Sequence, residues 1–308
     1  MQALRIATRR SALALWQAEH VAGLLRDAHP GLAVTLLPLV TQGDRILDRP
    51  LAAIGGKGLF IKELEAAIAD GRAEIAVHSM KDVPAALPDG FVLGAVLARA
   101  DPRDALLSLR YAGLAALPRG ARVGTSSLRR QCILRAARPD LEIVPLRGNV
   151  DTRLRRLDDG AFDAIVLAAA GLARLGLAAR ITEYLDPGVS LPAVGQGVVG
   201  IECRTGPALA AALAPLEHGP TRVCLTAERA VAAHLGGSCQ SPIAGYARLA
   251  GDVLHVDGLV GAPDGSRVLR DALTGRPADA ATLGAELAER LLSAGAGALL
   301  AELRGAGR

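Results

Sequence analysis

Short apolar runs alternate with amphipathic stretches through the first two thirds of the chain, a pattern that predicts parallel α/β layers. Residues 5–8 read as a strand. Residues 11–29 read as a helix with Leu13, Trp16, Val21, Leu24 and Leu25 on its buried side and Pro30 as its stop. A strand follows over 34–40. The turn Gly55-Gly56-Lys57-Gly58 then opens a helix over 59–69, ended by Gly71. Residues 74–78 read as a short buried strand whose exit carries Ser79-Met80-Lys81-Asp82. A second unit begins near Asp101-Pro102, with strands over 122–124, 141–146 and 163–169 and helix starts after Thr125-Ser126-Ser127 and after Arg147-Gly148-Asn149. A loop at 191–195 leads to a strand over 198–202. From residue 221 the pattern changes to a helix, a glycine-rich loop around Cys239, three strand-like runs (244–249, 253–260, 267–273) and two Ala-rich helices (278–293, 297–303), a small α+β unit.

A chain of 308 residues, 51% hydrophobic, exceeds one ordinary core and predicts two or three domains. One Trp, three Tyr and three Phe leave the cores to Leu, Val, Ile and Ala. Scarce aromatics also weigh against a single-strand nucleic-acid binder, which stacks bases on rings. The net charge is only +4, so a strongly basic nucleic-acid stripe is not expected. Of 35 Lys plus Arg only Lys57, Lys62 and Lys81 are Lys. Lys62 reads as a helix-surface charge, whereas Lys57 and Lys81 flank the richest motif and read as functional, because an ammonium and a guanidinium are not interchangeable in close contact. Cys132, Cys203, Cys224 and Cys239 form no C-x-x-C pair, so no metal site is expected. The start of the chain has no apolar leader, and no apolar run suits a bilayer; a cytoplasmic enzyme is expected.

Arg9, Arg129, Arg130, Arg147 and Arg153 all fall at strand-to-helix junctions. The carboxyl ends of strands form the ligand crevice of open α/β sheets, and helix N-termini there favour anions. Guanidinium forks at such junctions predict a crevice for several carboxylates. Asp82 is the lone acid of its motif. Two readings stand equally: a carboxylate that stabilises a cation or moves a proton, and a turn residue that caps backbone N–H groups. His78 reads as structural. Cys239 reads as a loop thiol open to modification, and the other cysteines as small core hydrophobes.

Val77-His78-Ser79-Met80-Lys81-Asp82-Val83-Pro84, Gly124-Thr125-Ser126-Ser127-Leu128-Arg129-Arg130, Leu146-Arg147-Gly148-Asn149-Val150, Leu191-Pro192-Ala193-Val194-Gly195-Gln196-Gly197, Gly55-Gly56-Lys57-Gly58 and Gly237-Ser238-Cys239-Gln240 together resemble the motifs of the porphobilinogen deaminase family. The resemblance implies two lobes like those of periplasmic binding proteins, built on doubly wound mixed sheets, and a smaller C-terminal α+β domain. The implied division is 1–98 with 195–217, then 99–194, then 218–308. It further implies a monomer, with porphobilinogen and oligopyrrole intermediates as its partners and neither nucleic acid nor membrane. A dipyrromethane cofactor is implied, held by a thioether at Cys239 and serving as primer for head-to-tail condensation of four porphobilinogen molecules with loss of ammonia. By motif, Asp82 with Arg9 and Lys81 carries the chemistry. Ser79, Lys81, Asp82, Thr125, Ser127, Arg129, Arg130, Arg147 and Gly148 hold the cofactor. Arg9, Ser11, Lys57, Arg147, Arg153, Arg174 and Gln196 hold substrate. Ala53, where relatives often carry Lys, and Ser241 depart from the family pattern without touching Asp82 or Cys239.

Overall fold

The computed structural model describes residues 2–45, 58–237 and 241–306. A five-stranded sheet opens the fold. It contains β1 (Ala3–Arg9), β2 (Ala33–Leu39), β3 (Ile75–Ser79), β4 (Phe91–Val96) and, arriving a hundred residues later, β10 (Val199–Arg204), in the order β2-β1-β3-β10-β4. β1 runs parallel to β2 and β3, while β10 is antiparallel to both its neighbours. Helix α1 (Ala12–Ala28) starts at Ser11, whose hydroxyl accepts from the Ala14 N–H, and α2 (Lys62–Ala69) covers the sheet beyond β1. Leu4, Ile6, Val21, Leu25, Ile75, Val77 and Ile201 fill the core between α1 and the strands.

The second sheet has the order β7-β6-β8-β5-β9. Its strands are β5 (Asp104–Leu107), β6 (Arg122–Gly124), β7 (Glu142–Val144), β8 (Ala164–Ala168) and β9 (Glu183–Leu185). α3 (Leu128–Ala137), α4 (Val150–Asp158) and α5 (Ala169–Arg174) follow β6, β7 and β8. After β10 come α6 (Pro207–Leu213) and α7 (Gly219–His234). An antiparallel meander then forms from β11 (Ile243–Ala250), β12 (Val253–Gly261) and β13 (Val268–Gly275), closed by α8 (Ala280–Leu291) and α9 (Gly297–Ala306). Val231, Val256, Leu287 and Leu291 are among the residues of its core.

The sheets are mixed, as the family resemblance implied and not wholly parallel as the alternation alone suggested, because β10 and β5 each run against both their neighbours. Two further expectations are corrected. Trp16 and Leu13 do not face the core: α1 buries Gln17, Ala18, Val21, Ala22 and Leu25, while Trp16 is exposed and stacks on His20. Finally, α2 begins at Lys62, since Gly58 takes a left-handed φ of 79° and residues 59–61 form a turn.

Candidate functional site

Three helix N-termini converge on one cleft of about 590 Å³. Ser11 caps α1, Ser127 caps α3 and Asn149 caps α4. Each side-chain oxygen accepts an N–H of its own helix, and all three caps line the cleft. The helix dipoles thus direct partial positive charge inward from both sheets. Arg9, Lys81, Arg147, Gly148 and Arg153 line the same walls, joined by Arg229 of α7. Arg153 donates through Nε to the Gly148 carbonyl at 2.8 Å. Burial first, and then the charge of Arg130, lowers the Arg153 pKa to about 10.

Asp82 and Lys81 sit on the single 3₁₀ turn Met80–Asp82 that leaves β3. The turn is anchored by the Met80 N–H on the Val198 carbonyl (3.0 Å) and the Val83 N–H on the Met80 carbonyl (3.2 Å). Gly195 packs directly on it. At φ 70°, a Cβ there would stand 2.7 Å from Met80 Cβ and 3.2 Å from Lys81 N, so only glycine allows the approach. Among the described residues no backbone N–H donates to the Asp82 carboxylate, which removes the turn-capping reading and leaves the carboxylate facing the cleft. Lys81 is pushed down to about 8, first by burial and further by Arg130 and Arg153, against the opposing pull of Asp82 and Asp104.

Lys81 therefore gives up its proton in mildly alkaline solution, and an anionic ligand restores it. We expect binding of a dicarboxylate ligand at pH 8.5 to take up protons, and affinity to fall by up to about tenfold per pH unit above 8. Calorimetry in buffers of different ionisation enthalpy measures the uptake; a Lys81→Gln variant that still takes up the proton would refute the assignment.

Arg129 and Arg130 have an internal partner. Both guanidinium groups close on Asp104 at the start of β5: Arg129 through Nη1 and Nη2 (2.8 and 3.0 Å), Arg130 through Nε and Nη2 (3.0 and 2.7 Å). The Ser190 hydroxyl and the Gln196 amide also donate to Asp104 (2.7 and 3.0 Å). Burial alone would raise Asp104, but the two arginine charges and their hydrogen bonds outweigh it and hold the carboxyl far below its usual range. With one carboxylate between two guanidiniums, the knot keeps one net positive charge facing the cleft. Arg9 similarly pairs with Asp44, which also accepts from the Thr41 hydroxyl at 2.7 Å, and lies 4.3 Å over the Phe60 ring.

Not every expected residue reaches the cleft wall. Thr125 is buried behind it, its hydroxyl accepting from the Ser127 N–H. Arg174 is turned to the Gly197 carbonyl (2.7 Å) and lies 5.9 Å from the Trp16 ring. Gln196 lines the cleft, yet both of its amide donor contacts are internal, to Asp104 and the Pro102 carbonyl. Ser79 is on the wall and is held by Gln17 of α1, whose Nε2 donates to it at 2.9 Å. Lys57, Ala53 and Cys239 lie outside the described residues; Gly237 and Ser241, on either side of Cys239, both line the cleft.

The sequence reading missed Asp104, Gln17 and Asp44. Asp101-Pro102-Arg103-Asp104 holds two aspartates, of which Asp101 merely pairs with its neighbour Arg103 near the surface. Only the four-residue, wholly buried strand β5 distinguishes Asp104, and so short a strand leaves no period to read. Gln17 carried a signal in its position on the buried stripe of α1, where a polar residue needs a partner.

Residues 4–211 match the family described as "Porphobilinogen deaminase, dipyromethane cofactor binding domain", and residues 222–293 match "Porphobilinogen deaminase, C-terminal domain". A protein named porphobilinogen deaminase from Chromobacterium violaceum is 58% identical over 98% of the chain and 98% of its own length. One of the same name from Xanthomonas axonopodis pv. citri is 58% identical over 98% of the chain and 100% of its own length. Among solved structures, the periplasmic aliphatic sulphonate binding protein SsuA from Escherichia coli matches with a TM-score of 0.42 at 15% identity, covering 76% of the chain and 70% of that protein. A periplasmic substrate-binding protein of an ABC transporter from Coxiella burnetii matches with a TM-score of 0.43 at 15% identity, covering 69% and 91%.

Proposed function

This chain belongs to the porphobilinogen deaminase family, and we propose that its cleft condenses four porphobilinogen molecules head to tail, with loss of ammonia, into the linear hydroxymethylbilane of tetrapyrrole biosynthesis. The observation that carries this reading is a cleft ringed by cations and three helix N-termini, with the unengaged carboxylate of Asp82 on its wall. Each pyrrole unit bears an acetate and a propionate, and the donor set answers those charges. The buried Nε of Arg129, left without a partner, adds a donor of the right kind. The residues present therefore fit a dipyrromethane, which when bound supplies the free α-carbon on which the chain grows.

In this reading Ser127, Lys81, Arg147, Gly148 and the Arg129–Arg130 pair hold the carboxylates of the cofactor. Arg9, Ser11 and Arg153 orient those of the incoming substrate. Asp82 balances positive charge developing on pyrrole nitrogen and moves the protons of each condensation. Thr125 acts behind the wall through Ser127, and Arg174 and Gln196 act through the connecting segment at 196–197. Cys239 holds the cofactor from the loop whose two ends, Gly237 and Ser241, border the cleft. We assign 1–98 with 195–217 to the first lobe, 99–194 to the second and 218–308 to the domain of the cysteine loop. The protein acts as a cytoplasmic monomer; support for a reducing compartment comes from the free, buried thiols of Cys132, Cys203 and Cys224. Among the described residues no helix is long and apolar enough to cross a membrane.

Intact mass tests the attachment. Protein made in cells that produce porphobilinogen is expected to exceed its sequence mass by two linked pyrrole units, and Cys239→Ser to lack the excess. Wild type at its bare sequence mass, unchanged after incubation with porphobilinogen, would overturn the reading.

A further inference from the structure

Beneath the Asp82 turn lies a charged cluster that the chemistry above does not use. β3 and β10 pair antiparallel with Ala76 opposite Glu202 and His78 opposite Gly200, so His78 and Glu202 point to the same face. His78 Nε2 stands 2.8 Å from Glu202 Oε2; the two residues are 5% and 0% exposed. Neither Glu202 oxygen has an aligned hydrogen bond. The charged groups near this carboxylate are His78 from β3, Glu65 with Lys62 near it from α2, and Arg229 from α7; the Cys203 thiol, next on its own strand, lies on the opposite face and senses its charge. Glu65 brings a second buried oxygen without a partner, and burial followed by the charge of Glu202 raises its pKa.

A buried carboxylate stripped of hydrogen bonds is costly, and hydrophobic residues of the same volume are commonly as stable or more so. Its placement gives it a use. His78 lies in the cleft wall and directly precedes Ser79, Met80, Lys81 and Asp82. Beyond His78 the turn is seated on the same return segment, where Gly200 gives room to the Met80 side chain and Gly195 to its backbone. The return segment therefore fixes the turn from below at two glycines, Gly195 ahead of β10 and Gly200 on it, and, through the His78–Glu202 contact, fixes the residue that leads into it.

We propose that Glu202, acting through His78, is a positioning residue that sets the Ser79–Lys81–Asp82 wall for each condensation. This rests on Asp82 being the reacting carboxylate. The experiment compares Glu202→Gln, His78→Asn (which lacks the Nε2 position) and the double variant as cofactor-loaded enzyme, with loading checked by intact mass. A displacement of the wall by about 1 Å is expected to lower kcat on the order of 100-fold while KM stays within about twofold. The double variant is expected to be no slower than the slower single one, because both changes break the same pair. Should Glu202→Gln fail to fold, His78→Asn alone must show the kcat loss. Losses that multiply in the double variant, or a fully loaded variant with wild-type kcat, would overturn the proposal. An Asp82→Asn enzyme with wild-type turnover would instead refute the role of Asp82, whatever Glu202 does.

Discussion

Asp82→Asn is expected to lower kcat by roughly 10²- to 10⁴-fold, the range of a positioned proton-transfer group, while KM for porphobilinogen changes little. The amide keeps the shape and removes the charge. Because no backbone N–H donates to this carboxylate among the described residues, no hydrogen bond that holds the turn depends on it; the turn is held by Met80 and Val83. The variant should therefore unfold at the wild-type temperature, and steady-state kinetics beside a melting curve separate the two effects. A loss of turnover that tracks a loss of stability would assign Asp82 to the fold instead.

The reverse balance is expected at Asp104. Asp104→Asn leaves Arg129 and Arg130, which are 3% and 6% exposed, without their shared counter-charge. Removing one partner of a buried ion pair typically costs about 3–5 kcal/mol, and here two cations lose the same anion. Urea unfolding should show the unfolding free energy lowered by that amount, as a midpoint shifted down at an unchanged slope. The pH sign follows from the depressed carboxyl: its contribution is complete above the ordinary aspartate pKa of about 3.9 and is lost only as pH falls below it. An unfolding free energy within about 1 kcal/mol of wild type would mean that water or the cleft already neutralises the arginines.

The elements with a strong period were legible in the sequence. α1 with its Ser11 cap, the caps at Ser127 and Asn149, and the three strands of the meander lie within a residue or two of their expected positions. The junction arginines were legible as a group, because each falls just before a helix start or within its first turn, after an apolar run. What escaped was the identity of their partners. Arg129 and Arg130 read as ligand contacts, with no sign that a strand entering from another part of the chain also brings Asp104 between them. Pairings across many residues leave no local trace. For the same reason His78 read as structural: its partner Glu202 lies on β10, beyond the whole second sheet. Trp16 was misread because large apolar residues are usually buried, whereas this one lies on the edge of α1 facing Arg174.

The late arrival of β10 has a consequence for how the protein is made. Among the described residues β4 pairs only with β10, and β3 has no partner on that side until β10 arrives. A nascent chain must therefore carry β4 unpaired, with one edge of β3 open, while the residues of the second sheet are still being synthesised. At about 5–20 residues per second this interval lasts several seconds, and an open edge beside apolar Val77 and Ala95 is a template for wrong pairing. Ribosome-bound chains ending before residue 199 should therefore engage chaperones, and release them once β10 has left the exit tunnel and closed the sheet.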